Sequence, residues 1–314
     1  MKKVRTAVIG VGYLGRFHAQ KYAALPESEL IAVVDRDPAS RERVAAETGC
    51  RAVGDFKEIL GEVDAVSIAT PTPLHHPIAR ACLERGVHVL VEKPITETPA
   101  QARELLELAS KRGLVLTVGH LERFNSAILA LEGTLHTPRF VESHRLAQFK
   151  ARGTDVNVVL DLMIHDIDLI QSLVGAPIES IDAVGTSVFS AGLDIANARI
   201  RYANGCVANT TASRVSMKVE RKLRLFQDDA YISIDLQQKV LTIVRKPHES
   251  AAAAPGQVTI EERSYEQGDA LRLEIESFLR SVREGRPPVV TGADGLRALE
   301  AAIRITELVH QTPR

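Results

Sequence analysis

AVIGVGYLGRFHA, residues 7–19, sets Gly10, Gly12 and Gly15 directly after the apolar run Val4–Ile9 and before the polar, helix-forming stretch Arg16–Lys21. Glycines in this G-x-G-x-x-G spacing permit a tight turn, close approach of backbone to a diphosphate, and close packing of a helix on its strand. Glycines also close ordinary loops, so the flanking sequence has to decide. The next apolar run, Leu30–Val34, ends in Asp35, about twenty residues after Gly15, which is the separation a dinucleotide site needs. A diphosphate would meet the free N–H groups and positive dipole end of the helix that follows the turn. Tyr13 and Leu14 lie inside that turn and count with the three glycines as cofactor-contacting positions. Asp35 would accept hydrogen bonds from the adenosine ribose hydroxyls and repel a 2′-phosphate, favouring NAD over NADP. Arg36 beside it is the group that could pair with such a phosphate.

The rest of the first third continues the same grammar. Ala65–Ala69, Val87–Val91 and Leu114–Val118 read as further buried strands, and Gly15–Leu25, Pro38–Thr48, Pro73–Arg85 and Pro99–Arg112 as the helices between them. Strands alternating with helices at this spacing predict βαβ units and a doubly wound parallel sheet. After about residue 121 the pattern changes to alternating strands. Asn204-Gly205 between two alternating runs is a hairpin signal, and KLRLFQDDAYISIDLQQKVLTIVRK supplies three more strands. The expected fold is therefore α/β: a parallel N-terminal domain over 1–121, then an α+β domain over 122–314 with an open, mainly antiparallel sheet. One helix, Val158–Val174, interrupts that sheet, two helices (269–284 and 292–311) close the chain, and residues 247–258 read as a low-complexity loop.

Composition bounds the function. The chain has 314 residues, 45% hydrophobic and 25% charged, with a formal net charge of −1. That balance gives no general electrostatic attraction to nucleic acid or an acidic membrane. No apolar run approaches the ~20 residues of a membrane span. Lys2, Lys3 and Arg5 ahead of TAVIGVGYLG mimic a signal peptide, but glycines break the run and Arg16 and His18 follow at once. Cys50, Cys82 and Cys206 are far apart with no CxxC, which reads as reduced thiols in a cytoplasmic protein. The histidines and cysteines show no metal-ligand spacing, so no metal is expected.

Strand ends on the carboxyl side of such a sheet face the ligand. SIATPTPLHH, residues 67–76, puts Thr70, Pro71 and His75 there as cofactor-facing candidates. VLVEKPITETP, residues 89–99, puts Glu92 and Lys93 at the next strand mouth. Desolvation and an adjacent cationic ring favour the neutral amine of a lysine so placed, the form a general base needs. In VLDLMIHDIDLIQSL, residues 159–173, Asp161 and His165 are four apart and share one helix face, as an imidazole oriented by a carboxylate would require.

These stretches in this order, with GHLERFN at 119–125, resemble the Gfo/Idh/MocA oxidoreductases across essentially the whole chain. The resemblance implies an N-terminal Rossmann domain binding NAD, Lys93 of Glu-Lys-Pro as the catalytic lysine, and Asp161 and His165 as the family's D-x-x-x-H pair. It also implies a homodimer or homotetramer built through the C-terminal sheet. The sequence departs from common family patterns at Ser126, where many members have proline, and at Met163, where many have glycine. GYLGRFHAQKYAALP, GHLERFNSAILAL and DLMIHDIDLI are most similar to members that oxidise the C3 hydroxyl of a UDP-N-acetylhexosamine, UDP-N-acetylglucosamine. A downstream aminotransferase then aminates the ketone on the way to diamino-sugar lipid A. His120, Arg123, Asn125 and Arg152 are candidates to hold the sugar or its diphosphate, since paired N–H donors match phosphate oxygens. The competing expectations are an inositol or free-sugar dehydrogenase of the same family, and a regulatory protein that binds NAD(H) without turnover. A sensor needs none of Lys93, Asp161 and His165.

Overall fold

Val4–Ile9 (β1) is buried along almost its whole length, as a central parallel strand covered on both faces must be. A computed structural model of the chain describes residues 3–150, 156–246, 258–266 and 268–311. β1 is followed by α1 (Tyr13–Ala24), β2 (Ser28–Val34), α2 (Pro38–Thr48), β3 (Arg51–Val53), β4 (Ala65–Ile68), α3 (His75–Glu84), β5 (His88–Glu92), α4 (Pro99–Arg112) and β6 (Leu116–Gly119). The six strands pair in parallel in the order β3-β2-β1-β4-β5-β6, the Rossmann order with its switch point between β1 and β4.

Local chemistry sets the helix limits. Asp37 caps α2 by accepting from Ser40 N at 3.0 Å, Pro38 occupies the first turn, and Gly49 ends it at φ +72°. Thr98 and Gln101 form a reciprocal capping box at the start of α4. α3 begins at His75, after a short 3₁₀ turn over Thr72–Leu74, because two prolines and a threonine favour the tighter turn. The three-residue strand β3 escapes the sequence pattern because two of its residues are exposed.

The chain divides into two compact units. The first contains Met1–Leu121 and also Asp269–Leu299; the second contains Glu122–Gly268 and Glu300–Arg314. The expected second domain is thus not one continuous stretch, because α7 (Ala270–Glu284) and the first turns of α8 (Gly292–Gln311) belong to the first unit. Ile275, Phe278 and Leu279 of α7 join Ala19, Tyr22, Val8 and Leu90 in one buried cluster.

The second unit holds α5 (Ser126–Leu129), β7 (Phe140–Leu146), α6 (Ile164–Val174), β8 (Ile178–Thr186), β9 (Ile195–Tyr202), β10 (Val207–Ser213), β11 (Glu220–Phe226), β12 (Ala230–Asp235), β13 (Val240–Arg245) and β14 (Thr259–Ser264). Its eight strands run in the order β14-β13-β12-β11-β7-β10-β9-β8, antiparallel throughout except for the β7–β10 pair. The hairpin β9–β10 turns at Asn204-Gly205, with Gly205 at φ +85°. β14 gives no alternation in its sequence because all six residues are exposed. The expected loop at 247–258 lies, up to residue 257, outside the described residues. Among those described, no helix is long and apolar enough to cross a membrane.

Asp194 enters β9 fully buried, and its Oδ2 accepts the N–H groups of Val188, Phe189 and Ser190 at 2.8, 2.6 and 2.9 Å. Burial works to raise its pKa, but the Ser190 hydroxyl and these amides outweigh it and hold the carboxyl well below the usual range. A depressed folded pKa adds stability above the unfolded value of about 3.9 and loses it as pH falls. Asp194→Ala is therefore expected to lower the Tm by roughly 5 °C at neutral pH. That gap should persist down to about pH 4 and close in more acidic buffer, as thermal scans across pH will show.

Candidate active site

The turn after β1 is shaped by backbone that tolerates no side chains. Gly10 sits at φ +85°, and a Cβ there would fall 2.8 Å from the backbone of Ala69 and from Thr70 Cγ2. A Cβ on Gly15 would lie 1.8 Å from the Gly10 carbonyl oxygen. Gly12, by contrast, faces open space, with nothing within 4 Å of its would-be Cβ. It also caps α1 without any side-chain hydrogen bond, so the first amides of α1 stand ready for an anion. Beside the turn, Gly12, Tyr13, Arg16, Phe17 and Arg43 line a cavity of about 310 Å³. Tyr13 and Leu14 are exposed, and Arg16 Nε is held by Glu47 at 2.8 Å.

Asp35 stands at the end of β2. Its Oδ2 accepts from Val11 N at 2.8 Å and its Oδ1 from Asp37 N at 2.9 Å. The carboxylate is therefore fixed over the glycine turn, with lone pairs left for ribose hydroxyls. Arg36 is exposed, and its carbonyl is tied to Arg41 NH1 at 3.2 Å. Thr70 Oγ1, at the end of β4, is buried without a hydrogen-bond partner among the described residues. The open space over Gly12, the uncapped helix start, the fixed Asp35 and the orphan Thr70 hydroxyl together fit a dinucleotide.

His75 takes a different part from the one its position suggests. Its two ring nitrogens each face a backbone carbonyl, Nδ1 that of Pro94 and Nε2 that of Thr70, at 2.8 Å, and the side chain is buried. Burial pulls its pKa down, against the two carbonyls. His75 thereby braces the segments that follow β4 and β5. Pro71 begins the short turn that leads into it. Glu92 ends β5, where its Oε1 meets His18 Nε2 at 3.0 Å and its Oε2 accepts from Lys93 N at 3.3 Å. Lys93 follows half-buried, with a cis peptide to Pro94. His120 is buried just after β6.

In the second unit, Asp161 lies in a π-helical turn, Val159–Met163, which runs into α6 carrying His165. Asn157 Oδ1 starts this element by accepting from Val159 and Leu160 N at 3.0 Å. Wide turns of this kind are frequent at functional sites. Met163, the departure noted in the sequence, is fully buried. Arg123 makes a bidentate pair with buried Asp168, Nε to Oδ2 at 2.7 Å and NH2 to Oδ1 at 2.8 Å. Asn125 caps α5 by accepting from Ala127 N and donates to the Leu236 carbonyl at 2.9 Å. Both side chains, expected to meet a sugar or its diphosphate, are thus bonded within the second unit. Arg152 lies outside the described residues. Arg145 of β7, which the sequence reading passed over, pairs with Asp166 at 2.8 and 3.0 Å and with Glu122 at 3.0 Å. Burial would lower its pKa, but the two carboxylates raise it well above the usual guanidinium range.

Residues 4–120 match the model of an oxidoreductase family's NAD-binding Rossmann fold, and residues 129–311 match the C-terminal alpha/beta domain of the same Gfo/Idh/MocA family. The chain belongs to the Gfo/Idh/MocA oxidoreductases. It is 42% identical over 313 residues to a UDP-N-acetylglucosamine 3-dehydrogenase of Acidithiobacillus ferrooxidans, covering 99% of this chain and 98% of that protein. A solved structure of that Acidithiobacillus ferrooxidans dehydrogenase superposes with a TM-score of 0.91 over 98% of each chain at 41% identity. A scyllo-inositol 2-dehydrogenase (NAD(+)) of Bacillus subtilis is 28% identical over 325 residues, covering 97% of this chain and 93% of that enzyme.

This family member is thus an NAD-binding oxidoreductase. Sequence reasoning missed His18 and Glu274 in its first unit. Glu274 had a signal: it lies at an inward position of the apolar stripe Leu271, Ile275, Phe278, Leu279 and Val282, where a carboxylate has no business unless something holds it. Asp35→Ala is expected to weaken NAD binding and erode the preference over NADP, read by fluorescence titration of both cofactors. Equal NADP binding by the unaltered chain would transfer control of that choice to Arg36.

Proposed function

We propose that this oxidoreductase oxidises the C3 hydroxyl of UDP-N-acetylglucosamine to the 3-keto sugar. The observation that carries the reading is 42% identity spread over 99% of the chain to an enzyme of that name, against 28% for the inositol enzyme. Bound NAD supplies the hydride acceptor. Lys93 accepts the hydroxyl proton, His165 shares or relays it, and Asp161 orients His165. Gly10, Gly12, Tyr13, Leu14, Gly15, Asp35, Arg36, Thr70, Pro71 and Glu92 form the cofactor's surroundings. His120 and Arg152 remain candidates for the sugar nucleotide. Arg123 and Asn125 contribute by shaping its site from the bonds already described.

A 3-keto sugar is the less stable partner at neutral pH, so the reading places a glutamate-dependent aminotransferase downstream and the enzyme in the cytoplasm with it. A homodimer or homotetramer through the C-terminal sheet is supported by an aromatic cluster. Phe226 lies between Phe140 and Tyr231, with ring centroids 5.6 and 5.0 Å away, on the sheet face opposite the buried Val141, Leu225 and Ile232.

Lys93→Ala and His165→Ala are each expected to lower turnover by on the order of 10²–10⁴, the usual worth of a positioned proton acceptor, with little change in NAD affinity. Near-normal turnover by the Lys93 variant would remove it from the mechanism. For the substrate, purified protein with NAD, glutamate, a suitable aminotransferase and UDP-N-acetylglucosamine should yield a 3-amino sugar nucleotide by mass. Robust oxidation of an inositol or free hexose, with no amino sugar formed, would transfer the assignment to that branch of the family.

A further inference from the structure

Three ionisable side chains converge inside the first unit, beneath the strand that carries Lys93. His18 of α1, Glu92 of β5 and Glu274 of α7 have nitrogen and carboxylate atoms that all lie within 4.8 Å of one another. His18 and Glu274 are 1% and 2% exposed. His18 bridges outward from Glu92: its Nδ1 is 3.2 Å from Ser67 Oγ, which lies 2.8 Å from the Tyr22 hydroxyl. Glu92 is pinned on its far side as well, because a Cβ on Gly119 would stand only 3.0 Å from its carboxylate. Both Glu274 oxygens, however, are buried with no hydrogen-bond partner among the described residues. The titratable and charged groups around Glu274 are His18 and Tyr22 on α1 and Glu92 at the end of β5, with Lys93 beside Glu92. The Lys21–Asp269 pair closes the start of its own helix.

Two carboxylates this close in a dry interior repel each other, and one of them takes a proton. Burial, and then the charge of Glu92, push the Glu274 pKa well above the usual value. Burial also works to raise Glu92, but the His18 hydrogen bond and charge and the Lys93 charge outweigh it and hold Glu92 low. The asymmetry decides which carboxyl stays neutral. We infer that Glu274 is a neutral carboxylic acid packed against the His18–Glu92 pair, so that the cluster carries one carboxylate charge and that charge sits on Glu92, behind the Lys93 amide. Glu274 is a positioning residue for the reacting lysine, delivered by the segment of chain that returns from the second unit. The inference rests on the reading of Lys93 as the base.

The first test does not depend on catalysis. A carboxyl raised in the fold binds a proton that the unfolded chain has released above its ordinary value of 4.5. Relative to Glu274→Gln, the wild-type folding constant should therefore fall about tenfold per pH unit above that value; a pH-independent difference overturns the inference. The infrared spectrum of the unaltered holoenzyme at neutral pH should also show the carbonyl stretch of a protonated acid. Its absence overturns the inference even if the variant fails to fold. In the second test, Glu92→Gln should move the acid limb of the kcat/KM profile down by about one pH unit, whereas Glu274→Gln, an amide replacing a neutral acid, should leave the limb within about 0.3 units. An equal shift in both variants means that Glu274 is charged and overturns the proposal. If Lys93→Ala retains both turnover and the acid limb, the lysine reading fails, and the stability and infrared results alone judge Glu274. One equivalent of divalent metal in the purified protein, lost in Glu274→Gln by elemental analysis, would put a cation in place of the Glu274 proton and overturn the inference.

Discussion

A side chain on residue 15 would collide with the carbonyl oxygen of residue 10, 1.8 Å from where its Cβ would lie. No other would-be side chain at a described glycine meets the protein so closely, and much else follows from it. It brings α1 down tightly on β1 and β4, so that Ala19 and Tyr22 enter the core and His18 reaches Ser67 and Glu92. It also leaves Gly12 at the rim with open space beside it and the first amides of α1 uncapped. One steric requirement therefore builds an anion site on one side of the helix and a buried polar cluster on the other.

The second unit depends on charge held inside rather than on close backbone approach. Arg145 projects from the buried face of β7 and meets Asp166 and Glu122, while Arg123 is locked to Asp168. Removing one member of such a pair leaves a bare buried charge, at a cost of about 3–5 kcal/mol. The run GHLERFN thus carries much of its polarity for the fold. Glu122, Arg123 and Asn125 each bond within the second unit.

α7 and the start of α8 show why chain order misleads about domains. The apolar stripe of α7 packs with Ala19 and Tyr22 of α1, and the start of α8 lies against Leu106, Leu116 and Val118, so both bury apolar surface in the first unit. The same return brings Glu274, 182 positions after Glu92, into contact range of the strand that presents Lys93. A carboxylic acid is a costly group to bury. Its presence on an otherwise apolar stripe makes the cluster part of the working structure of β5.

The sequence by itself determined the alternating strands and helices of the first unit, the glycine turn with Asp35 at its proper distance, the Asn204-Gly205 hairpin and the family. These are signals of short range, in which a residue's own conformational limits or a period of two or 3.6 suffices. Only the tertiary structure decided that residues 269–299 rejoin the first unit, that His75 braces the segments following two strands, and that Arg123 is committed to Asp168. It alone gathered His18, Glu92 and Glu274. Those outcomes depend on which polar atoms meet once distant segments have packed. A one-dimensional pattern records that a residue is polar, but its partner is chosen by desolvation, which penalises every buried donor or acceptor left unmatched.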